Sequence, residues 1–168
     1  SLGGDGRFML DDTTRPALVT LLEKLLVPAL AKVANLVPEG GVWMNTQRPE
    51  WNDANNALAG NGLSMVTLYQ LRHYADWCMT LVESMGDGEA SLSGSIAGWC
   101  DETIAVVSEF LASTTDTVDD RARWTVVSSL GAAAERARTS LREAGLGEVV
   151  AMDRARLAEF YRQIGKAA

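Results

Sequence analysis

Apolar residues recur along this chain at intervals of three and four, and that spacing predicts helices nearly throughout. Leu18, Leu21, Leu22, Leu25, Ala29, Val33 and Leu36 form the first such series. Asp12-Thr13-Thr14 followed by Pro16 offers a start for it, and Pro28 is expected to kink or split it. A second helix is predicted from about Leu63 to Ser84, with Met65, Leu68, Leu71, Ala75, Cys78 and Val82 on one face. A third runs from about Ser95 to Ala112. Ile96, Cys100, Ile104, Val107 and Leu111 line one side of it and Trp99, Val106 and Phe110 another, so burial from two sides is expected. A fourth spans about Val118 to Ala144 through Trp124, Val127, Leu130, Ala134, Ala137 and Leu141, and a short last helix covers about Met152 to Ile164.

The breaks carry glycine and proline: Val37-Pro38-Glu39-Gly40-Gly41, Gly86-Asp87-Gly88 and Gly145-Leu146-Gly147. Only Val42-Trp43-Met44 suggests a strand, and no short repeat or low-complexity tract stands out. The expected fold class is therefore all-α, built from consecutive antiparallel helical hairpins in a single unit over residues 1–168. One long polar segment, about 38–62, interrupts it.

Composition narrows the function classes. With 168 residues and 47% apolar side chains the chain can bury a core. A net charge of −7 argues against nucleic acid or an anionic membrane surface as partner. The acidity is uneven: residues 1–118 hold 6 Lys/Arg against 15 Asp/Glu, and residues 119–168 hold 9 against 7. Arg121/Arg123 and Arg136/Arg138/Arg142 read as helix surface charges. Cys78 and Cys100 sit in apolar patterns and read as buried thiols, with a disulfide as the alternative. A lone histidine, His73, leaves no basis for a His metal site or a Ser/His/Asp triad, and neither a metal nor a cofactor is expected. No stretch approaches 18 apolar residues and the first residues do not form a signal peptide, which leaves the compartment open, with the cytoplasm slightly favoured.

The polar segment holds the candidate chemistry. Gln47-Arg48-Pro49-Glu50-Trp51-Asn52-Asp53-Ala54-Asn55-Asn56 packs two carboxylates, an arginine, a tryptophan and a run of amides into ten residues. Aromatic faces grip sugar rings, and amides and carboxylates bind hydroxyls. Pro49 keeps Arg48 out of helical geometry, so Arg48 to Trp51 should be extended. Each residue also has a plain explanation. Asp53 or Asn52 could cap a short turn, Glu50 could pair with Arg48 at the surface, Trp51 could pack, and the asparagines could shape a loop. In the functional reading one carboxylic acid, Asp53, protonates a glycosidic oxygen, and Glu50 tunes it or binds a hydroxyl. A helix N-terminus would favour the ionised form of Asp53, so acid function requires burial or the Glu50 charge to oppose that. Asp101 and Glu102, next to Trp99-Cys100, are candidates for a second carboxylate, though a solvated helix face explains them better.

The string Glu50-Trp51-Asn52-Asp53-Ala54-Asn55-Asn56 resembles the W-N-D loop of six-hairpin, (α/α)6-toroid carbohydrate enzymes. It is most similar to the D-W-N-D-G-M-N motif of the cellobiose and chitobiose phosphorylases. Glu50 replaces the first Asp and Ala54 the Gly, which points to a different branch. The resemblance implies a general acid at Asp53 and a sugar subsite shaped by Glu50, Arg48, Gln47, Trp51, Asn52, Asn55 and Asn56. Trp43 is expected to add an aromatic platform. A toroid needs about twelve helices, or well over ~300 residues, so this chain is expected to be part of one. A second chain or further sequence would then complete it. The implied function is cleavage of glycosidic bonds by water or phosphate, acting on a saccharide. The competing expectation is a non-catalytic helical binding or assembly module.

Overall fold

The computed structural model describes residues 15–45, 61–113 and 117–168. Five helices carry most of these residues: α1 (Leu21–Val33), α2 (Met65–Ser84), α3 (Gly94–Ser113), α4 (Asp120–Ala144) and α5 (Arg154–Ala167). Two small antiparallel sheets accompany them. One holds β1 (Leu36–Val37), β2 (Gly41–Asn45) and β3 (Asn61–Ser64) in that order, and the other pairs β4 (Glu89–Ser93) with β5 (Val149–Asp153). The helical class is thus observed, but four of the five strands were hidden. Each is short, and β3, β4 and β5 run directly into a helix, too brief for alternation to register.

Local chemistry sets the helix boundaries. The expected start at Asp12–Thr14 lies outside the described residues, and α1 begins instead behind Thr20, whose Oγ1 accepts the Glu23 amide at 3.2 Å. Leu18 therefore precedes the helix and is exposed. Pro28 does not split α1, which is continuous through it. A proline there cannot donate to the Lys24 carbonyl. Tyr74 of α2 braces the same turn, its hydroxyl donating to the Leu25 carbonyl at 2.7 Å. Asp119 caps α4 in the same manner as Thr20 caps α1, accepting the Ala122 amide at 2.7 Å.

Leu26, Leu30, Val33, Leu36 and Val42 are fully buried, together with Leu92, Leu130, Leu157, Phe160 and Ile164, in one core drawn from every helix. Burying each aliphatic side chain contributes roughly 1.5–3 kcal/mol. The faces expected of α2 and α3 are observed, except that Met65, at the first position of α2, is exposed. The expected face of α4 is observed at Leu130, Ala134 and Ala137, with Leu141 packed against the core, but not at Trp124 and Val127. Val126, Leu130, Ala133, Ala134 and Ala137 are buried and Trp124 is exposed. An alanine stripe lets α4 lie close to α3, and the Trp124 ring falls off that stripe. The most extensive packing joins α2 to α5, which are not neighbours in sequence; α3 against α4 comes second.

The second half of the fold repeats the first. Helix α2, a turn, β4 and α3 are followed by helix α4, a turn, β5 and α5. The turns are Gly86-Asp87-Gly88-Glu89 and Gly145-Leu146-Gly147-Glu148, and all four glycines have positive φ, 69° and 134° in one and 70° and 75° in the other. Strand pairing is symmetric about Ser91↔Ala151, from Glu89↔Asp153 at one end to Ser93↔Val149 at the other. The Gly94 amide donates to the Glu148 carbonyl at 2.8 Å, and at the matching place the Arg154 amide donates to the Gly88 carbonyl at 2.9 Å. The two helix–strand–helix units are related by a local two-fold through the β4–β5 pair, which brings α2 to α5 and α4 to α3. The G-x-G-E turns lie one residue out of register with this two-fold, which matches Gly88 to Glu148, so no repeat was visible in the sequence.

Candidate functional site

Gln47, Arg48, Glu50, Trp51, Asn52, Asp53, Asn55 and Asn56 lie outside the described residues. What the structure places is the stem from which that segment departs and to which it returns. Strands β2 and β3 pair antiparallel through Val42↔Ser64, Trp43↔Leu63, Met44↔Gly62 and Asn45↔Asn61. The chain leaves β2 at Asn45 and re-enters β3 at Asn61, directly opposite.

Trp43 is the one expected site residue that is described. Its backbone amide donates to the Asn35 carbonyl at 2.7 Å, and its side chain is 46% exposed. Neighbouring Val42 points the other way, into the core, as strand alternation requires. Leu63 lies opposite Trp43 and is also exposed, with Met65, Val66 and Tyr69 exposed further along at the start of α2. Trp43 thus presents an accessible ring at the stem of the polar segment.

Both ends of the stem are fixed. Toward α2, Ser64 ends β3 and caps the helix, its Oγ accepting the Thr67 amide at 3.1 Å and sharing a hydrogen bond with Thr67 Oγ1 at 2.9 Å. Thr67 Oγ1 in turn reaches Met44 Sδ at 3.2 Å, which ties β2 to α2. At the other end, Arg123 of α4 grips the β1–β2 turn. Its Nε donates to the Pro38 carbonyl at 3.0 Å and its Nη2 to Glu39 Oε2 and the Val118 carbonyl, each at 3.2 Å. Glu39 has a positive φ of 58° in this turn. Arg123 is therefore no simple surface charge. Gly41 follows with φ 127°, and a Cβ there would meet the Ser64 carbonyl oxygen at 3.1 Å, so the two strands close only around glycine.

The other candidates resolve into structural roles. Asp101 pairs with Arg156 at 2.6 Å and Glu102 with Arg136 at 2.5 Å, both partly exposed on helix surfaces. Neither reads as a second catalytic carboxylate. Arg138 pairs with Glu135 within α4. His73 and Lys32 line a shallow groove between α1 and α2 with Pro28, Gln70 and Tyr74, while Trp77 is exposed beyond it. Cys78 and Cys100 are free and buried. Burial pushes the Cys78 thiol up, against opposing hydrogen bonds from Tyr74 and Tyr161. Burial with the Asp101 charge pushes Cys100 to about 12, Arg156 opposing, so both thiols stay protonated and unreactive near neutrality. Among the described residues no group of three or more His, Cys, Asp or Glu side chains could hold a metal, and no helix is long and apolar enough to cross a membrane.

Glu23 is the carboxylate that the apolar periodicity hid. It is 3% exposed, and its Oε2 and Oε1 accept the amide and hydroxyl of Ser93 at 2.8 and 2.6 Å. Thr20-Leu21-Leu22-Glu23 has the spacing of a capping box. That signal was available, but the carboxylate reaches β4 and the start of α3 instead of its own helix.

No protein-family model matches the chain, and no curated protein matches it.

Proposed function

We propose that this chain is a helical part of a six-hairpin, (α/α)6-toroid carbohydrate-active enzyme, in which Asp53 is the general acid of the Glu50-Trp51-Asn52-Asp53 loop. The sequence of that loop carries the reading. Support comes from its setting between the paired ends of β2 and β3, with the accessible Trp43 ring on the stem. In the reaction Asp53 gives its proton to the departing glycosidic oxygen while water or phosphate attacks the anomeric carbon from the opposite face. Glu50 raises the proton affinity of Asp53 or binds a hydroxyl. Arg48, Gln47, Asn52, Asn55 and Asn56 bind hydroxyls, or the phosphate where that is the nucleophile, and Trp51 and Trp43 stack on sugar rings. The second catalytic group and the helices that complete the ring come from sequence or a chain beyond these residues.

One observation favours a second reading, a non-catalytic helical binding or assembly module. Leu21, Val66, Tyr69, Trp77 and Trp124 are all exposed, more apolar surface than a lone catalytic unit requires. Native mass and turnover separate the two. A complete enzyme that cleaves or phosphorolyses oligosaccharides and loses this with Asp53→Asn, its helical circular dichroism unchanged, supports the first. A stable monomer without saccharide binding supports the second.

A further inference from the structure

The two strands at the local two-fold are not equally covered. On β4 the groups facing away from β5 are taken by α1: Thr20 Oγ1 donates to the Ser91 carbonyl at 2.9 Å, and Glu23 accepts from the Ser93 amide and hydroxyl. The two-fold mates of Ser91 and Ser93 are Ala151 and Asp153. The outward amide and carbonyl of Ala151 and the outward amide of Asp153 have no protein partner among the described residues, while the Asp153 carbonyl begins the hydrogen bonding of α5. Burial follows the same asymmetry. Ala90 is 4% exposed under α1, whereas its mate Val150 is 39% exposed and Val149 is 72% exposed. A larger apolar side chain thus stands in the open at the place where the first unit buries a smaller one. An uncovered strand edge of this kind is a pairing surface.

We propose that the outer edge of β5 is a docking site for the N-terminal turn of an α-helix of a partner protein, seated as α1 is seated on β4. The covered edge specifies the occupant. A hydroxyl at the cap position reaches the Ala151 carbonyl, as Thr20 reaches Ser91. An apolar residue in the first turn covers Val150. Charge then separates the two sites. Where Ser93 donates to Glu23, the second unit has Asp153, whose Oδ1 accepts the Ala155 amide at 2.8 Å and whose exposed carboxylate makes no ion pair among the described residues. The partner therefore carries a lysine or arginine at the place of Glu23. This inference stands apart from the role of Asp53.

The test uses the full chain, isotopically labelled, titrated with two synthetic peptides of residues 15–35 of its own sequence, one native and one with Glu23→Lys. The expected result is saturable shifts of the Val149, Ala151 and Asp153 amides. The Lys peptide should bind roughly two- to fivefold tighter than the native one, as one exposed ion pair allows. Asp153→Asn keeps the helix cap and should abolish that preference, and Val150→Glu should weaken both peptides. Shifts at Ser91 and Ser93 alone, equal binding of the two peptides, or no shift at β5 would each overturn the proposal.

Discussion

Replacing Glu23 by alanine is the sharpest test of how α1 is joined to the rest of the fold. The carboxylate makes two hydrogen bonds to Ser93, at 2.8 and 2.6 Å, in a site closed to water. A hydrogen bond to a charged group contributes ~1.5–3 kcal/mol, and truncation strands the Ser93 amide and hydroxyl without acceptors. Removing the buried charge returns part of its desolvation cost, so the expected net loss is about 3 kcal/mol. For a chain of this size that lowers Tm by roughly 6–12 °C. Urea denaturation followed by far-ultraviolet circular dichroism measures it, with an unchanged slope marking a stability effect alone. Glu23→Gln can keep both contacts, its Oε1 accepting the Ser93 amide and its Nε2 donating to the Ser93 hydroxyl, and should lose only about 1 kcal/mol as charge-assisted bonds become neutral ones. In a double-mutant cycle with Ser93→Ala the coupling should be about 1–2 kcal/mol. A loss below about 1 kcal/mol for Glu23→Ala, or no coupling, would refute the assignment of Glu23 as the staple between α1 and β4.

Arg123→Ala should cost about 1–2 kcal/mol in the same melt, mostly through the carbonyl bonds to Pro38 and Val118. Its ion pairs are partly exposed and add little, and Arg123→Lys should not restore the loss because an ammonium lacks the fork. Cys100 should resist an aromatic disulfide reagent at neutral pH until the protein unfolds. Its thiol titrates at about 12 in the fold against 9.0 for an ordinary thiol, so the fold holds the proton more tightly. That contribution is fully present below pH 9, is lost as pH climbs toward 12, and should be missing from the alkaline melts of Cys100→Ala. Trp43→Ala should change stability by less than about 1 kcal/mol, because the ring is half exposed, yet weaken oligosaccharide binding about five- to tenfold; unchanged binding would remove Trp43 from the sugar site.

The helices were legible because long apolar series leave a repeated signature: α2 and α3 match their expected bounds within two residues. Chemistry that joins distant elements left much less. The carboxylate of Glu23 meets Ser93 seventy residues away, and Arg123 meets Pro38 eighty-five residues away. Each reads locally as an ordinary helix charge. Trp124 misled because its spacing fits an apolar face, whereas packing against α3 selected small side chains one step around the helix. The local two-fold rests on backbone pairing and matching helix bounds, which the two halves share while their side chains differ. Of the candidate site, only Trp43 lies among the described residues, half exposed on β2, and the stem that holds the loop was foreshadowed only by Val42-Trp43-Met44. The role of Asp53 rests on the motif.

That role is tested most directly by comparing glycosides with poor and good leaving groups in the complete enzyme carrying Asp53→Asn. A general acid is needed most where the departing oxygen is basic. Turnover of an unactivated disaccharide should fall by about 10²–10⁴-fold, whereas a dinitrophenyl glycoside, which leaves without protonation, should lose far less. Equal turnover of the disaccharide by Asp53→Asn and the native enzyme, or an equal loss on both substrates, would contradict the assignment.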